Sequence, residues 1–498
     1  MKKFFARASD RKWMLLIWTL FWLLVFITTR RALQNGGLTI FLTLICLCSY
    51  ICVLCIDGMG EKDFLRLAVL IGVFFVVIAP FACLADEEYH FARAFHLSGG
   101  HPFPVRQNGV LGMELPTGYA AYSVRGGWCL LNVWQDKALW LAGTEAREFI
   151  PRALSASYLP LDYAFSAVGI GIGRLLRLPL LFVVLLGRLC NYAAYVAVAY
   201  LAIKRAKYYR SLFFLVATLP CCFYAGAVIH IDAPLIAFSL LYVSISLDYC
   251  LDETKTRVSA QDIALLAVSA AFILSTKFFG YCLLLPLILF AGKRKLANFR
   301  TAVLTLISVT LLVAAWQIWA LLALPGSLDT SEAVSAFSAR GQLDWILANK
   351  GQFATLLVRD FLKNMFERLY SLSFSEAPAF SFLSLPLRFL PFIAAARAKD
   401  KYPLQLKQRR VFNAYWLLAA AVMMLVCNFS LYVTWTRVGA DYIGGTQVRY
   451  VLPYLIVILL ALSTLSPVNE MKNWERRIGF LAGLALINMV VGTLKQFL

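Results

Sequence analysis

The chain has 498 residues, of which 61% are hydrophobic and only 15% are charged, and its mean hydropathy is +0.73. A typical soluble protein is about half apolar and about one quarter charged. A soluble chain of this size would also have to expose a polar surface to water. The composition therefore excludes a soluble enzyme, a disordered chain and a secreted disulfide scaffold, and it predicts a polytopic membrane protein.

The formal charge of +20 comes from 47 basic and 27 acidic residues. In a soluble protein this excess would suggest a nucleic-acid partner. In a membrane protein the basic residues gather in cytoplasmic loops and face anionic lipid. We therefore expect membrane lipid and no nucleic acid as a partner. The 12 cysteines lie mostly inside apolar runs, so neither a disulfide framework nor a zinc site is predicted.

Apolar stretches of the length needed to cross a membrane recur along the whole chain. A bilayer core about 30 Å thick needs roughly 20 apolar residues per helix, and about 13 stretches fit within a few residues. They are residues 13–29, 38–56, 64–84, 180–203, 211–229, 233–251, 262–275, 278–291, 301–323, 380–396, 411–433, 451–466 and 478–491. We predict an all-α fold that forms one membrane-embedded unit over residues 1–498.

The distribution of basic residues predicts the orientation of these helices. The N-terminus and four later loops carry basic clusters, and short basic loops stay in the cytoplasm. All five fall on one side only if residues 159–176 form a surface helix rather than a span. Two large outer loops then follow, at about 85–178 and about 324–379, and we expect both to carry interfacial helices. Long loops on a rigid scaffold commonly carry function.

The first outer loop opens on a cluster of charged residues. It reads Asp86-Glu87-Glu88-Tyr89-His90-Phe91-Ala92-Arg93. In a helix, Asp86, His90 and Arg93 share one face. A carboxylate beside His and Arg suits a general base, a cation ligand or a phosphate-facing cluster. The structural alternative is a salt-bridged helix cap at the membrane interface.

Other ionisable residues within or beside the predicted spans fall on the same side. Arg188 and Asn191 lie one helical turn apart in an apolar run, so Arg188 should face protein or a polar cavity. Asp232 begins a span, close after His230. Lys277 lies between two short apolar segments, where it either binds an anion such as phosphate or extends to the headgroups.

A third set lies in the C-terminal loop at 434–450. Arg437, Gln447, Arg449 and Tyr450 alternate there with glycines. Arginine can bind a phosphate through two N–H groups, and glycine lets the backbone approach a ligand. A packed loop with arginines at headgroup level is the alternative. Nucleotide-binding and hydrolase motifs are absent, so we do not expect nucleotide-driven transport by this chain alone.

In order along the chain, these motifs resemble the bacterial family of polytopic membrane proteins called domain of unknown function 2142. The matching residues are Asp86-Glu87-x-x-His90-x-x-Arg93, Gly187-Arg188-Leu189-x-Asn191, Asp232-Ala233, Lys277 and Gly445-x-Gln447-x-Arg449-Tyr450. The sequence departs from the family pattern at Ala85, Ile231 and Val448, where Pro, Pro and Gly are usual.

The resemblance implies a GT-C-type glycosyltransferase in the bacterial inner membrane. Such an enzyme would take a sugar from a polyprenyl-phosphate donor and transfer it to a cell-envelope glycan acceptor on the extracytoplasmic side. Carried over, Asp86 would be the catalytic base, with Glu87 as the alternative. Arg449 and Lys277 would bind phosphate, and the remaining polar residues of the three sets would contact donor or acceptor.

Three points stay open at the level of the sequence. A divalent cation, Mg²⁺ or Mn²⁺, is a candidate cofactor, although no metal ligands are assigned. A lipid-linked glycan flippase or transporter is an alternative function, because polar residues within spans also suit a passage. A glycan polymerase or ligase is another, and it would use a pyrophosphate-linked donor.

Overall fold

The structure is a computed structural model, and it describes residues 10–29, 36–81, 86–108, 110–117, 119, 146–151, 155, 158–276, 278–293, 296–323, 338–371, 384–398, 406–465 and 471–495. Within this part the chain is mostly helical. Among the described residues, seven helices are long and apolar enough to cross a membrane, and three further apolar helices are shorter. These features agree with a polytopic membrane protein.

The first half of the chain contains ten helices among the described residues and the one sheet found there. The helices are α1 (Lys12–Thr28), α2 (Gly36–Cys55), α3 (Glu61–Leu67), α4 (Phe74–Ile78), α5 (Glu87–Ser98), α6 (Ala164–Leu175), α7 (Leu180–Arg205), α8 (Arg210–Ala217), α9 (Pro220–Gly226) and α10 (Asp232–Leu251). The strands are β1 (Val105–Gln107), β2 (Val110–Pro116) and β3 (Arg147–Pro151).

The second half adds ten helices among the described residues. They are α11 (Ala260–Thr276), α12 (Phe278–Tyr281), α13 (Phe299–Ala323), α14 (Ala339–Ala348), α15 (Lys350–Ser371), α16 (Ser384–Arg388), α17 (Leu390–Ala396), α18 (Leu406–Trp435), α19 (Leu452–Leu465) and α20 (Trp474–Lys495). Short 3₁₀ segments cover Pro160–Tyr163, Cys282–Lys293 and Val448–Val451.

Several predicted spans are interrupted helices. The stretch 211–229 divides at Pro220 into α8 and α9, because proline cannot continue the hydrogen-bond ladder. The stretch 278–291 is mostly a 3₁₀ segment with Pro286 inside it. Apolar composition alone does not reveal such breaks, which is why the sequence counts more spans than there are long helices in the described residues.

The long helices differ in how much of their surface the protein covers. In the apolar 18-residue window of each candidate span, 94% of the residues are buried in Asp232–Leu251 and 89% in Trp474–Lys495, whereas only 17% are buried in Phe299–Ala320. A helix that is apolar all round is either buried in protein or surrounded by lipid. Helices α10 and α20 therefore form the centre of the bundle, and α13 lies at its edge.

A π-turn at Ala68–Gly72 joins α3 to the segment leading into α4. Such a turn weakens the regular helical hydrogen bonds, and in a membrane protein the released backbone groups need another partner. The Tyr192 hydroxyl of α7 donates a hydrogen bond of 2.8 Å to the Ala68 carbonyl. The interruption is therefore stabilised by a neighbouring helix.

The predicted first outer loop contains a small sheet, so the all-α expectation is incomplete there. Strand β2 pairs antiparallel with both β1 and β3. Asn108-Gly109 separates β1 from β2, and Asn108 has a positive φ of 50°. This dipeptide is a strong sequence signal for a two-residue hairpin turn.

The predicted surface segment 159–176 is the 3₁₀ turn Pro160–Tyr163 followed by α6. A 12-residue helix is about 18 Å long, which is too short to cross a bilayer. Helix α6 packs closely on α7, because an added Cβ at Gly169 would stand 2.1 Å from the Leu186 carbonyl oxygen. This close approach fixes α7 beside the loop that carries the candidate site.

Candidate functional site

Four segments that are distant in sequence meet at one end of the helix bundle. They are the start of α5, the 3₁₀ turn before α6, the residues just before and at the start of α10, and the 3₁₀ turn Val448–Val451. The contact between Asp86 and Arg449 joins residues 363 positions apart. The first, second and last predicted motifs therefore form one cluster.

Arg449 lies between two carboxylates in this cluster. Its Nη2 atom is 3.4 Å from an oxygen of Asp86, and its Nε atom is 3.0 Å from an oxygen of Asp232. The side chains of Arg449 and Asp232 are each 7% exposed, whereas that of Asp86 is 39% exposed. One carboxylate thus fixes the guanidinium from inside the protein, and the other can reach solvent or a ligand.

Asp86 stands directly before a helix, but its side chain does not cap that helix. Asp86 precedes the first residue of α5, where an aspartate normally accepts a hydrogen bond from the first helical turn. It makes no such bond, and its φ of 74° lies in the left-handed region, which aspartate and asparagine adopt more readily than other residues with a Cβ. The Asp86 carboxylate is therefore not used by the first turn of α5.

Two histidines form one wall of the cluster. The rings of His90 and His230 are 4.1 Å apart between centroids, and His90 Nδ1 is 2.8 Å from the Tyr163 hydroxyl. His230 Nδ1 accepts the backbone N–H of Asp232 at 3.0 Å. Burial lowers the pKa of His90 well below its ordinary value, and His230 and Arg449 lower it further. His90 is therefore neutral near pH 7 and provides polar ring atoms rather than charge.

Glu87 and Arg188 are paired in the interior. Two nitrogens of Arg188 donate to the two carboxylate oxygens of Glu87 at 2.8 and 2.6 Å. Arg188 also donates to the Ala79 carbonyl just after α4, and Glu87 accepts the backbone N–H of Ile229. The exposed fraction of the Glu87 side chain is zero. This pair holds α5, α7 and the chain before α10 together.

Two more predicted residues stabilise the backbone around the cluster. Asn191 donates to the Val228 carbonyl at 2.7 Å and so fixes the approach to α10. Arg93 is completely buried and donates to the Pro102 carbonyl at 2.6 Å, next to the sheet. Asn191 and Arg93 therefore stabilise the backbone around the cluster and lie away from the exposed side of Asp86.

The C-terminal loop contributes unevenly. Tyr450 is buried, and the Arg449 guanidinium lies 5.8 Å from the centre of its ring. Gln447 is half-buried, and among the described residues its side-chain oxygen has no hydrogen-bond donor. Arg437 is exposed. Lys277, the other predicted phosphate ligand, lies outside the described residues.

The structure adds a group of residues that the sequence did not single out as a site. Tyr158, Asp162 and Tyr163 precede α6, and the Tyr158 ring is 5.9 Å from that of His90. Asp162 is buried and accepts the Ser275 hydroxyl of α11. Burial raises the pKa of Asp162 to about 8, against the effect of Ser275. The dense polar and aromatic residues 158–163 before an amphipathic helix were the available sequence signal.

No set of metal-ligating side chains is found in the part of the chain that the structure describes. No group of three or more His, Cys, Asp or Glu side chains is arranged there to hold an ion.

Comparison with known proteins gives one result. The family described as "Predicted membrane protein (DUF2142)" matches residues 69–460, which is most of the chain and contains every residue of the cluster. No curated protein and no solved structure matches the chain. The chain therefore belongs to this family of membrane proteins.

Proposed function

We propose that this protein is a GT-C-type integral-membrane glycosyltransferase. It transfers a sugar from a polyprenyl-phosphate donor to a cell-envelope glycan acceptor, with inversion at the anomeric carbon. The N-terminus lies in the cytoplasm and the site opens on the extracytoplasmic side of the bacterial cytoplasmic membrane. The observation that carries the proposal is the position of Arg449 between the half-exposed Asp86 and the buried Asp232.

Inverting transfer needs a base beside the acceptor and a cation beside the leaving phosphate. The acceptor oxygen attacks the anomeric carbon while the bond from that carbon to the phosphate oxygen breaks, through a transition state with oxocarbenium character. The bonding electron pair leaves with the phosphate, and Asp86 takes the hydroxyl proton. A positioned base contributes about 10²–10⁴-fold. Arg449 stabilises the phosphate charge through its N–H groups.

The sharing of Arg449 couples donor binding to the availability of the base. In the structure Arg449 contacts Asp86 at its exposed side and Asp232 at its buried side. A donor phosphate approaching from the open side competes with Asp86 for the guanidinium. Binding of the donor therefore releases the Asp86 carboxylate toward the acceptor, while Asp232 keeps Arg449 in place.

The other residues of the cluster have supporting roles in this proposal. His90, His230 and Tyr450 line the wall against which the sugar packs. Gln447 offers a polar group, and Arg437 lies at the exposed entrance. Lys277 remains a predicted phosphate ligand. Glu87 is fully committed to Arg188, so the base role belongs to Asp86.

Two alternatives differ from this proposal in what they move. A flippase translocates a lipid-linked glycan without breaking a bond. A polymerase or ligase transfers a glycan from a pyrophosphate-linked donor. The cluster favours transfer from a monophosphate, because Arg449 is the one cation of the described cluster that lies beside an exposed carboxylate. Product analysis separates the three functions.

The test uses purified protein in lipid nanodiscs, with polyprenyl-phosphate and polyprenyl-pyrophosphate sugars as separate labelled donors. We expect transfer from the monophosphate donor and a loss of at least about 10²-fold in the Asp86→Asn variant. Asparagine tolerates the left-handed backbone at this position, so the variant keeps the local fold. Assays with EDTA, and with Mg²⁺ or Mn²⁺ added back, measure dependence on a divalent cation.

The chain offers a matched control for this variant. Asp57 is 49% exposed and pairs at 2.5 Å with Arg11, whose side chain is 2% exposed. The pair resembles that of Asp86 and Arg449 in exposure but lies outside the cluster. Asp57→Asn should keep full transfer. Full transfer by Asp86→Asn, or translocation without transfer by the unmodified protein, would contradict the proposal.

A further inference from the structure

Two helices of the predicted second outer loop expose apolar side chains although they lie outside the candidate spans. On α14 these are Leu343 and Leu347, which are 43% and 65% exposed. On α15 they are Val358 and Leu362, which are 57% and 48% exposed. Each pair is four residues apart, so its members lie on one face of their helix. These two consecutive helices, α14 and α15, are separated by Asn349 alone. We use the name hairpin for the pair, whatever the angle between them.

Basic side chains accompany these apolar ones. Arg359 and Lys363 each follow an apolar residue of α15, so they lie about 100° around the helix from it. Arg340 and Lys350 are also exposed. Among the described side chains of the hairpin, Asp344 is the one exposed acid, so positive charge predominates. Apolar residues beside basic residues are typical of a helix that lies in a membrane interface with anionic lipid.

The hairpin also continues the apolar surface of a candidate span. The Phe353 ring of α15 lies 6.0 Å from Phe429 of α18 and 5.2 Å from Tyr432. Phe429 is 40% exposed and Trp435, at the end of α18, is 48% exposed. The hairpin therefore packs at the end of a span where apolar and aromatic side chains are open to the surroundings. In membrane proteins, Trp and Tyr side chains concentrate at the membrane–water interface.

Two buried polar side chains connect the hairpin to the loop that leads to Arg449. Gln342 of α14 accepts the backbone N–H of Gly439 at 3.0 Å, and Asp360 of α15 accepts that of Ile443 at 3.0 Å. Both side chains belong to buried residues. The hairpin thus fixes this loop just before the turn that carries Arg449.

We infer that the hairpin is a lipid-binding surface, which rests on the leaflet at the site end of the bundle and attracts anionic phospholipid headgroups. Its apolar residues enter the interface, and its exposed Arg340 and Lys350 contact lipid phosphates. Because Gln342 and Asp360 tie it to the Arg449 loop, the hairpin sets the height of the cluster above the lipid phosphates. The inference concerns membrane contact and does not depend on glycosyl transfer.

Photolabelling tests this inference on the full chain in nanodiscs. Phosphatidylglycerol and phosphatidylcholine analogues with a photoreactive diazirine near the headgroup are added in parallel, and labelled peptides are identified by mass spectrometry. We expect labels on both helices of the hairpin, with about a 5-fold preference for phosphatidylglycerol. Helix α13, whose Leu311 and Leu312 are 64% and 73% exposed, serves as the internal reference for lipid contact. Labels on α13 without labels on the hairpin would overturn the inference.

Charge reversal tests the electrostatic part. The Arg340→Glu/Lys350→Glu variant changes two exposed residues and should lose the preference for phosphatidylglycerol on the hairpin, while α13 is labelled as before. Lys472→Glu/Arg477→Glu, which reverses two exposed charges elsewhere, is the matched control and should keep the preference. An unchanged preference in the hairpin variant would refute lipid-phosphate recognition. Hairpin labelling in a protein without transferase activity would support this inference and refute only the proposed function.

Discussion

Replacing Glu87 with glutamine tests whether this carboxylate is structural, in contrast to the neighbouring Asp86, which we propose as the base. Glu87 accepts two hydrogen bonds from Arg188 and one from the Ile229 backbone. A glutamine amide would direct N–H groups at a guanidinium that has no acceptor for them. Removing one partner of a buried pair costs about 3–5 kcal/mol, because the remaining charge stays buried. We expect Glu87→Gln to lower the free energy of unfolding by that amount.

The measurement is equilibrium unfolding in mixed dodecyl maltoside and SDS micelles. Glu61→Gln is the control, since Glu61 is 4.0 Å from Arg210 in a more exposed pair, and surface pairs contribute about 0–1 kcal/mol. The double variant Glu87→Gln/Arg188→Met removes the buried charge as well and should recover part of the loss. A loss below 1 kcal/mol for Glu87→Gln, or no recovery in the double variant, would show that the pair is not the anchor described above.

Two further variants probe the support of the site. The pKa of Asp162 is raised to about 8 in the folded protein from an ordinary value of 3.8, so the contribution of this group to stability is present below pH 4 and is lost progressively as the pH rises from about 4 to about 8. Asp162→Asn removes that loss and should be more stable than the unmodified protein by about 4 kcal/mol at pH 7, with no advantage at pH 4, in unfolding measured at both pH values. Gly169→Ala should lower the thermal unfolding midpoint, because the added Cβ would stand 2.1 Å from the backbone oxygen of Leu186; an unchanged midpoint would contradict the close packing of α6 on α7.

The sequence shows which residues belong to the cluster, but it does not show which of them contact each other. Asp86, Asp232 and Arg449 are recognisable because a charged side chain beside or within an apolar run is energetically costly and usually has a function. Their contact could not be derived, since it joins segments up to 363 residues apart and helical periodicity says nothing about which helices are neighbours. Glu87 resembles Asp86 in sequence, and only the folded structure shows that its side chain is buried against Arg188.

The fold was predictable where local chemistry decides it. Composition predicts the membrane class, and the positive-inside rule predicts that 159–176 does not span. Asn108-Gly109 is a sequence signal for a turn between two strands, which the all-α prediction did not include. Breaks such as the one before Pro220 depend on whether neighbouring helices satisfy the released backbone groups. That depends on tertiary packing, which the apolar pattern does not contain.

The two carboxylates around Arg449 have opposite predicted effects on donor affinity. Asp86→Asn removes the competitor at the exposed side of the guanidinium, so a polyprenyl phosphate should bind about 2- to 5-fold more tightly, which corresponds to the strength of a partly exposed ion pair. Asp232→Asn removes the buried anchor and leaves Asp86 as the carboxylate contacting Arg449, so binding should weaken. Equilibrium binding of polyprenyl phosphate in nanodiscs measures both without any transfer. If the two variants change the affinity in the same direction, Arg449 is not shared between base and donor, and Asp86 is available for proton transfer whether or not the donor is bound.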